Sequence, residues 1–138
     1  AKTPLDIRAS LNYYQSRVQG VPGPDNRLDR QQPWSATVGL DYVLSGVTAA
    51  PIRLGGNLSF TPAYRTQQST EHSIAFARSR TIDLYANIPL SQKMSVRLIA
   101  NNAAPLASEN TAVYSTLSTV NTVSKPRTWY GVVLSLKG

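Results

Sequence analysis

Apolar side chains occupy every second position in six stretches of the chain, and they do not recur at the three- and four-residue spacing of a helix. A period of two places the apolar side chains on one face of a β-strand and the polar ones on the other. Each stretch is long enough for the ~9–11 residues that a tilted strand needs to cross a bilayer. We therefore predict an all-β, antiparallel, up-and-down meander of about six strands. The stretches cover residues 5–14, 35–44, 52–65, 81–88, 94–101 and 130–137.

The two faces of these strands differ in charge. One carries no charge within its apolar band, and a charge at the middle of a bilayer costs ~2–4 kcal/mol there. The other carries acids and bases in mid-strand, which suits a water-filled or plugged interior. We predict that the interior face carries Asp6, Arg8, Asp41, Arg53, Asp83 and Arg97. We predict that lipid contacts Leu5, Ile7, Leu11, Val38, Leu40, Leu54, Leu58, Ile82, Leu84, Val96, Leu98, Val132, Leu134 and Leu136.

The connections between the stretches alternate in length. Long polar links cover 19–33, 66–73 and 103–126, whereas the links at 45–51 and 89–93 are short. Long loops at one rim and tight turns at the other are typical of outer-membrane barrels. Aromatic residues toward the ends of the apolar bands fit interfacial girdles. These aromatic residues are Tyr13, Tyr42, Phe60, Tyr64, Phe76 and Tyr130.

Composition narrows the classes of function. Only 15% of the 138 residues are charged, against roughly a quarter in ordinary soluble domains. The net charge of +7 raises nucleic acid as a partner, but the bases are dispersed over the long links and the interior charges cancel, so we expect no nucleic-acid binding. A single histidine, His72, and scattered acids predict neither a metal site nor a catalytic group. We expect no cofactor and no enzymatic activity.

Several short segments carry a resemblance to one family of membrane proteins. They are Gly23–Leu28 with Pro33–Trp34, Gly39–Tyr42, Leu84–Ala86, Val96–Leu98 with Asn101–Asn102, and Thr128–Tyr130 followed by Val132, Leu134 and Leu136. With these segments, most of the chain resembles the C-terminal barrel of TonB-dependent outer-membrane receptors, the class that includes siderophore receptors. The resemblance implies a 22-stranded barrel around an N-terminal plug, of which residues 1–138 would be one partial domain supplying the last six strands. That family usually ends on an aromatic residue, whereas this chain ends on Gly138.

The resemblance also implies a function and a set of partners. The receptor would import ferric siderophores or similar scarce nutrients across the outer membrane of a Gram-negative bacterium, using energy from TonB. Its partners would be the remaining strands and the plug of the same receptor, outer-membrane lipid and a ferric siderophore-like ligand; TonB would bind only the N-terminal part that this chain lacks. Four arginines of the long-link side are candidates for contact with an anionic ligand: Arg27, Arg30, Arg65 and Arg127. Alternatively, these arginines pair with Asp25 and Asp29 or meet lipid phosphates.

Two other interpretations stay open at this point. Alternation also fits a small soluble β-sandwich or barrel that binds a partner, with its apolar face packed internally. A porin-like channel built from several copies is the third, because six strands are fewer than the ~8 of the smallest membrane barrels.

Overall fold

The computed structural model describes residues 4–21, 23–48, 50–114 and 118–136, and this part of the chain is all-β. Gly138 lies outside the described residues. All pairings between the described strands are antiparallel. The strands are β1 (Leu5–Tyr13), β2 (Trp34–Leu44), β3 (Ile52–Thr61), β4 (Tyr64–Gln67), β5 (His72–Phe76), β6 (Ser79–Pro89), β7 (Met94–Asn101), β8 (Ser108–Tyr114), β9 (Ser118–Ser124) and β10 (Trp129–Leu136).

The larger sheet has six strands in the order β1-β2-β3-β6-β7-β10, so its strands follow one another as they do along the chain. Each of the six alternating stretches forms one of these strands, which confirms the antiparallel up-and-down arrangement. The third strand ends at Thr61 because Pro62 follows it and lacks the N–H that a strand donates to its neighbour. The sheet is open in the described structure, with β1 and β10 as its two edges.

A second sheet of four strands, in the order β4-β5-β8-β9, is formed largely by segments that we expected to be long loops. Its first strand, β4, also includes Tyr64 and Arg65, which we assigned to the end of the third alternating stretch. The prediction that 66–73 and 103–126 are loops was therefore wrong, because strands form within both links. Strands β4 and β5 continue the register of β3 and β6, since Phe60 pairs with Arg80 and Tyr64 with Phe76. The hairpin of β3 and β6 thus extends beyond the larger sheet. Strands β8 and β9 extend the hairpin of β7 and β10 in the same direction, and β5 pairs with β8.

A hydrophobic core is missing from the described part of the chain, where no apolar side chain is buried. The buried side chains are polar and belong to Asn26, Thr66 and Ser73, and Gly39 is buried as well. In water a chain of this size gains most of its stability from apolar burial, at ~1.5–3 kcal/mol for each large side chain. The backbone ladders hold these sheets together, and most of the large apolar side chains of the described strands are exposed.

Candidate functional site

The apolar face of the larger sheet is continuous across all six strands. Residues directly opposite each other in an antiparallel pair point to the same face, and Ile7 pairs with Leu40, Val38 with Leu58, and Leu58 with Ile82. The register carries the same alternation through β7 to β10. All the residues that we predicted to contact lipid share this face. Ile82 and Val96 are half-buried, and each of the other side chains is exposed when the chain is considered alone.

Aromatic side chains border the apolar face at the end where the long links leave the sheet. Trp34 lies 5.5 Å from Phe60 between ring centroids, and it pairs with Tyr13 across β1 and β2. Tyr130 lies at the same end of β10, with 74% of its surface exposed. Among the predicted girdle residues, Tyr64 and Phe76 belong instead to the second sheet. Their rings stack on each other at 4.7 Å.

The opposite face of the larger sheet is polar. The six charged residues that we assigned to the interior share it, as the pairings of Asp6 with Asp41 and of Asn87 with Arg53 and Arg97 show. Among these six, Arg8 and Asp41 form an ion pair. Asp83 accepts a hydrogen bond of 2.9 Å from the backbone N–H of Asn102.

Tyr85 connects strands of the polar face that are not neighbours. Its hydroxyl donates a hydrogen bond to Oδ1 of Asp41 on β2, and its ring crosses over Gly55 on β3. A Cβ at position 55 would lie 2.5 Å from the Tyr85 ring, so only glycine leaves room for it. The guanidinium of Arg97 lies over the same ring, 4.9 Å from its centroid. The polar groups of Arg8, Asp41, Tyr85 and Arg97 therefore form one chain of contacts from β1 to β7.

The sequence pattern placed Tyr85 on the polar face of its strand and predicted no further role for it. Its contacts depend on which strands are neighbours and on their register, so no local pattern predicts them. The glycine pair at 55–56 in the middle of a strand was the one available signal, since such glycines mark a close approach.

The first long link packs on the edge of β4. The Gln67 N–H donates to the Asp25 carbonyl at 2.8 Å, and the Tyr64 hydroxyl donates to the Arg30 carbonyl at 3.1 Å. The buried Asn26 amide holds the link in shape by donating to the Val21 carbonyl at 2.9 Å. Burial, and then the nearby carboxylate of Asp29, raises the pKa of the Tyr64 phenol. This link is therefore an ordered part of the long-link side.

The structure does not gather the four arginines proposed as ligand contacts at one site: Arg27 and Arg30 share the first long link, and the other two lie elsewhere. Arg27 lines a pocket of about 390 Å³ with Tyr13 and Arg17. Arg30 belongs to the same link, and its Nε lies 4.0 Å from the carboxylate of the neighbouring Asp29. The other two are separate from that pocket: Arg65 on β4 donates to the Ser73 hydroxyl at 2.7 Å, and Arg127 is exposed in the connection between β9 and β10.

The remaining candidates for chemistry do not form a cluster. His72 stacks on Tyr114 with 4.2 Å between ring centroids. Within the described ranges there is no group of three or more histidine, cysteine or acidic side chains that could hold a metal ion. The same residues include no helix of the length and apolarity needed to span a membrane.

Comparison with models of protein families, with curated proteins and with solved structures gave no match for this chain.

Proposed function

We propose that this chain is part of the wall of a transporter in the outer membrane of a Gram-negative bacterium. Its apolar face contacts lipid hydrocarbon, and its polar face lines a hydrated or plugged interior. One observation carries this proposal: the six strands align their apolar side chains into one largely exposed face, opposite a face that carries acids and bases in mid-strand. On the described strands the apolar face carries a single charged residue, Arg80, which pairs with Phe60 at the long-link end of β6. A soluble module would bury such a face against a second layer, and no such burial exists in the described residues.

The open edges favour a larger barrel. Strands β1 and β10 each leave a row of backbone N–H and C=O groups without a partner among the described strands. Such groups cannot face hydrocarbon, because nothing there accepts or donates a hydrogen bond. The proposal therefore needs more strands, which the rest of a TonB-dependent receptor of 22 strands would supply. Copies of this chain arranged as a channel are the alternative source, and the same edges would serve them.

The long-link side favours the import of an anionic solute. The extended hairpins and the first link build an ordered polar structure at that end, and Arg17 and Arg27 line a pocket there. A ferric siderophore or similar anionic chelate is the substrate class that we propose. The wall performs no reaction in this account: it encloses the plug, presents the links to the ligand, and depends on TonB through the N-terminal part of the receptor.

Adjacent positions on β3 allow a direct test. The chain has no cysteine, so Leu58→Cys and Asn57→Cys each create one attachment point, on opposite faces of one strand. A spin label at each position is exposed to oxygen, which partitions into lipid, and to a water-soluble nickel chelate. We expect the label at 58 to respond to oxygen and the label at 57 to the chelate. Equal responses at both positions, or protection of position 58 from both reagents, would contradict the proposal.

The edge strands distinguish the two sources of additional strands. A variant with one cysteine on β1 and one on β10 carries a thiol at each edge of the larger sheet. A disulfide between the β1 cysteine of one chain and the β10 cysteine of another is expected only if copies of this chain are neighbours. Its absence in the membrane-inserted receptor, with cross-linking instead to an earlier strand of the same receptor, is the result that the TonB-dependent assignment predicts.

A further inference from the structure

A row of three polar residues crosses the polar face near the short links. Arg53 on β3 pairs with Asn87 on β6, and Asn87 pairs with Arg97 on β7. Because neighbouring strands lie about 4.8 Å apart, the Cα atoms of the two arginines are about 10 Å apart with the amide between them. Both guanidinium groups and the amide therefore reach the same small region above β6.

The two arginines carry charge that no acid compensates. The ion pairs of the described residues, which include all the acids of the chain, are Arg8 with Asp41 and Arg30 with Asp29. Asp41 is on the same face as the row, but it already binds Arg8 and the Tyr85 hydroxyl. An anion in this region would thus meet two positive groups that have no carboxylate partner.

The row forms one wall of a pocket of about 510 Å³. This volume is within the range of small-molecule sites. The position of Arg97 is restricted, since its guanidinium lies 4.9 Å from the Tyr85 ring centroid and the Tyr85 hydroxyl is bound to Asp41. Ser95 and Ser135 add hydroxyl groups to the lining, and Ile99 and Val133 supply its apolar part. Guanidinium, amide and hydroxyl donors around one cavity are the groups that bind carboxylate and phosphate oxygens.

We propose that Arg53, Asn87 and Arg97 form a binding site for an oxyanion, namely a carboxylate or phosphate group of a small solute. The site goes beyond the proposed function, because it is near the short links and uses none of the arginines of the long-link side. If the polar face lines a transport path, the site holds an anionic solute at the end of the path opposite to the long links.

The test is calorimetric titration of the whole membrane-inserted protein to which this chain belongs, in lipid vesicles, once with inorganic phosphate and once with citrate. The two titrations show which oxyanion binds. Saturable binding of either one is expected, and it should weaken about tenfold in Arg53→Gln and in Arg97→Gln, since one lost charge-assisted hydrogen bond has this effect. Arg97→Lys should recover only part of the affinity, because an ammonium group lacks the planar fork of a guanidinium.

Arg78→Gln is the matched control, because it removes the same charge from an exposed position between β5 and β6. It should leave the affinity unchanged. Asn87→Ala keeps both charges and should weaken binding several-fold, which tests the row even if an arginine variant fails to fold. Absence of saturable binding of both anions would overturn the proposal, and so would equal weakening by Arg78→Gln, which indicates attraction by net charge alone. Either failure leaves the exposure of the apolar face, and so the proposed function, untouched.

Discussion

Replacing Gly55 by alanine tests the contact between Tyr85 and the strand that it crosses. A Cβ at this position would lie 2.5 Å from Cζ and 2.6 Å from the hydroxyl oxygen of Tyr85, whereas ordinary contacts begin at 3.4 Å. The ring must therefore move by about 1 Å. A movement of that size takes the hydroxyl away from Asp41 and the ring away from Arg97.

The expected loss follows from these contacts. A hydrogen bond to a charged group contributes about 1.5–3 kcal/mol, and an exposed cation–π contact contributes about 0.5–1 kcal/mol. Alanine is more favourable than glycine within a strand by about 0.5–1 kcal/mol, which offsets part of the loss. Gly55→Ala should therefore lower the free energy of unfolding by about 1–3 kcal/mol, as measured by urea unfolding of the membrane-inserted protein.

The matched experiment is the same substitution in a Tyr85→Ala background. Without the ring, the three nearest atoms that crowd the new methyl group are removed, and Gly55→Ala should then be neutral or stabilising by up to about 1 kcal/mol. An equal loss of stability in both backgrounds would refute the reasoning, because it would place the cause in the backbone of β3 rather than in the Tyr85 contact.

Three further predictions concern the two faces and the first link. Ile82→Arg should destabilise the membrane-inserted protein by about 2–4 kcal/mol, while Thr81→Arg on the polar face should be tolerated; equal effects in urea unfolding would contradict the assignment of the faces. Replacing both Arg27 and Arg30 by alanine should reduce uptake of an anionic ferric chelate, and unchanged uptake would remove them from the ligand site. Spectroscopic titration should show Tyr64 ionising above the ordinary tyrosine pKa. Because its folded-state pKa is raised, the stability that it contributes is present below the ordinary pKa and is lost as the pH rises through the folded value; ionisation at the ordinary value would contradict this.

The larger sheet was predictable from the sequence because its two faces carry different side chains. A period of two over long stretches fixes which residues share a face, and a shift of one residue would invert every side chain. This constraint predicted both the strands and the common face of residues as distant as Leu5 and Leu136.

The second sheet was missed because its strands carry a weaker pattern. Strands β8 and β9 consist mostly of Ser, Thr, Asn and Val, with few large apolar side chains to mark a face. They were therefore read as a polar loop. The register of β4 with β5 follows from that of β3 with β6 across Pro62, which a strand-by-strand interpretation treats as a boundary.

The contacts of the candidate sites could be predicted least. The row of Arg53, Asn87 and Arg97 requires the alignment of three strands, and the bridge from Tyr85 to Asp41 requires a glycine between them. The sequence identified the charges as sharing a face, but the distances between strands decide which of them meet. For the same reason, the four arginines of the long-link side were grouped by charge alone, and Arg65 and Arg127 lie apart from the pocket that Arg27 lines.

We propose that one face of the larger sheet touches lipid and that the other faces water, and the two tryptophans of the chain test this arrangement most directly. Trp34 belongs to the apolar face, whereas Trp129 belongs to the polar face, where its ring lies over Gly131. Replacing each in turn by phenylalanine leaves a single tryptophan, which is excited selectively at a wavelength where the tyrosines of the chain do not absorb. We predict that brominated lipid quenches Trp34 strongly and Trp129 weakly, and that iodide in the water does the reverse. Strong quenching of Trp129 by brominated lipid with none at Trp34 would contradict the account, as would two tryptophans that respond alike.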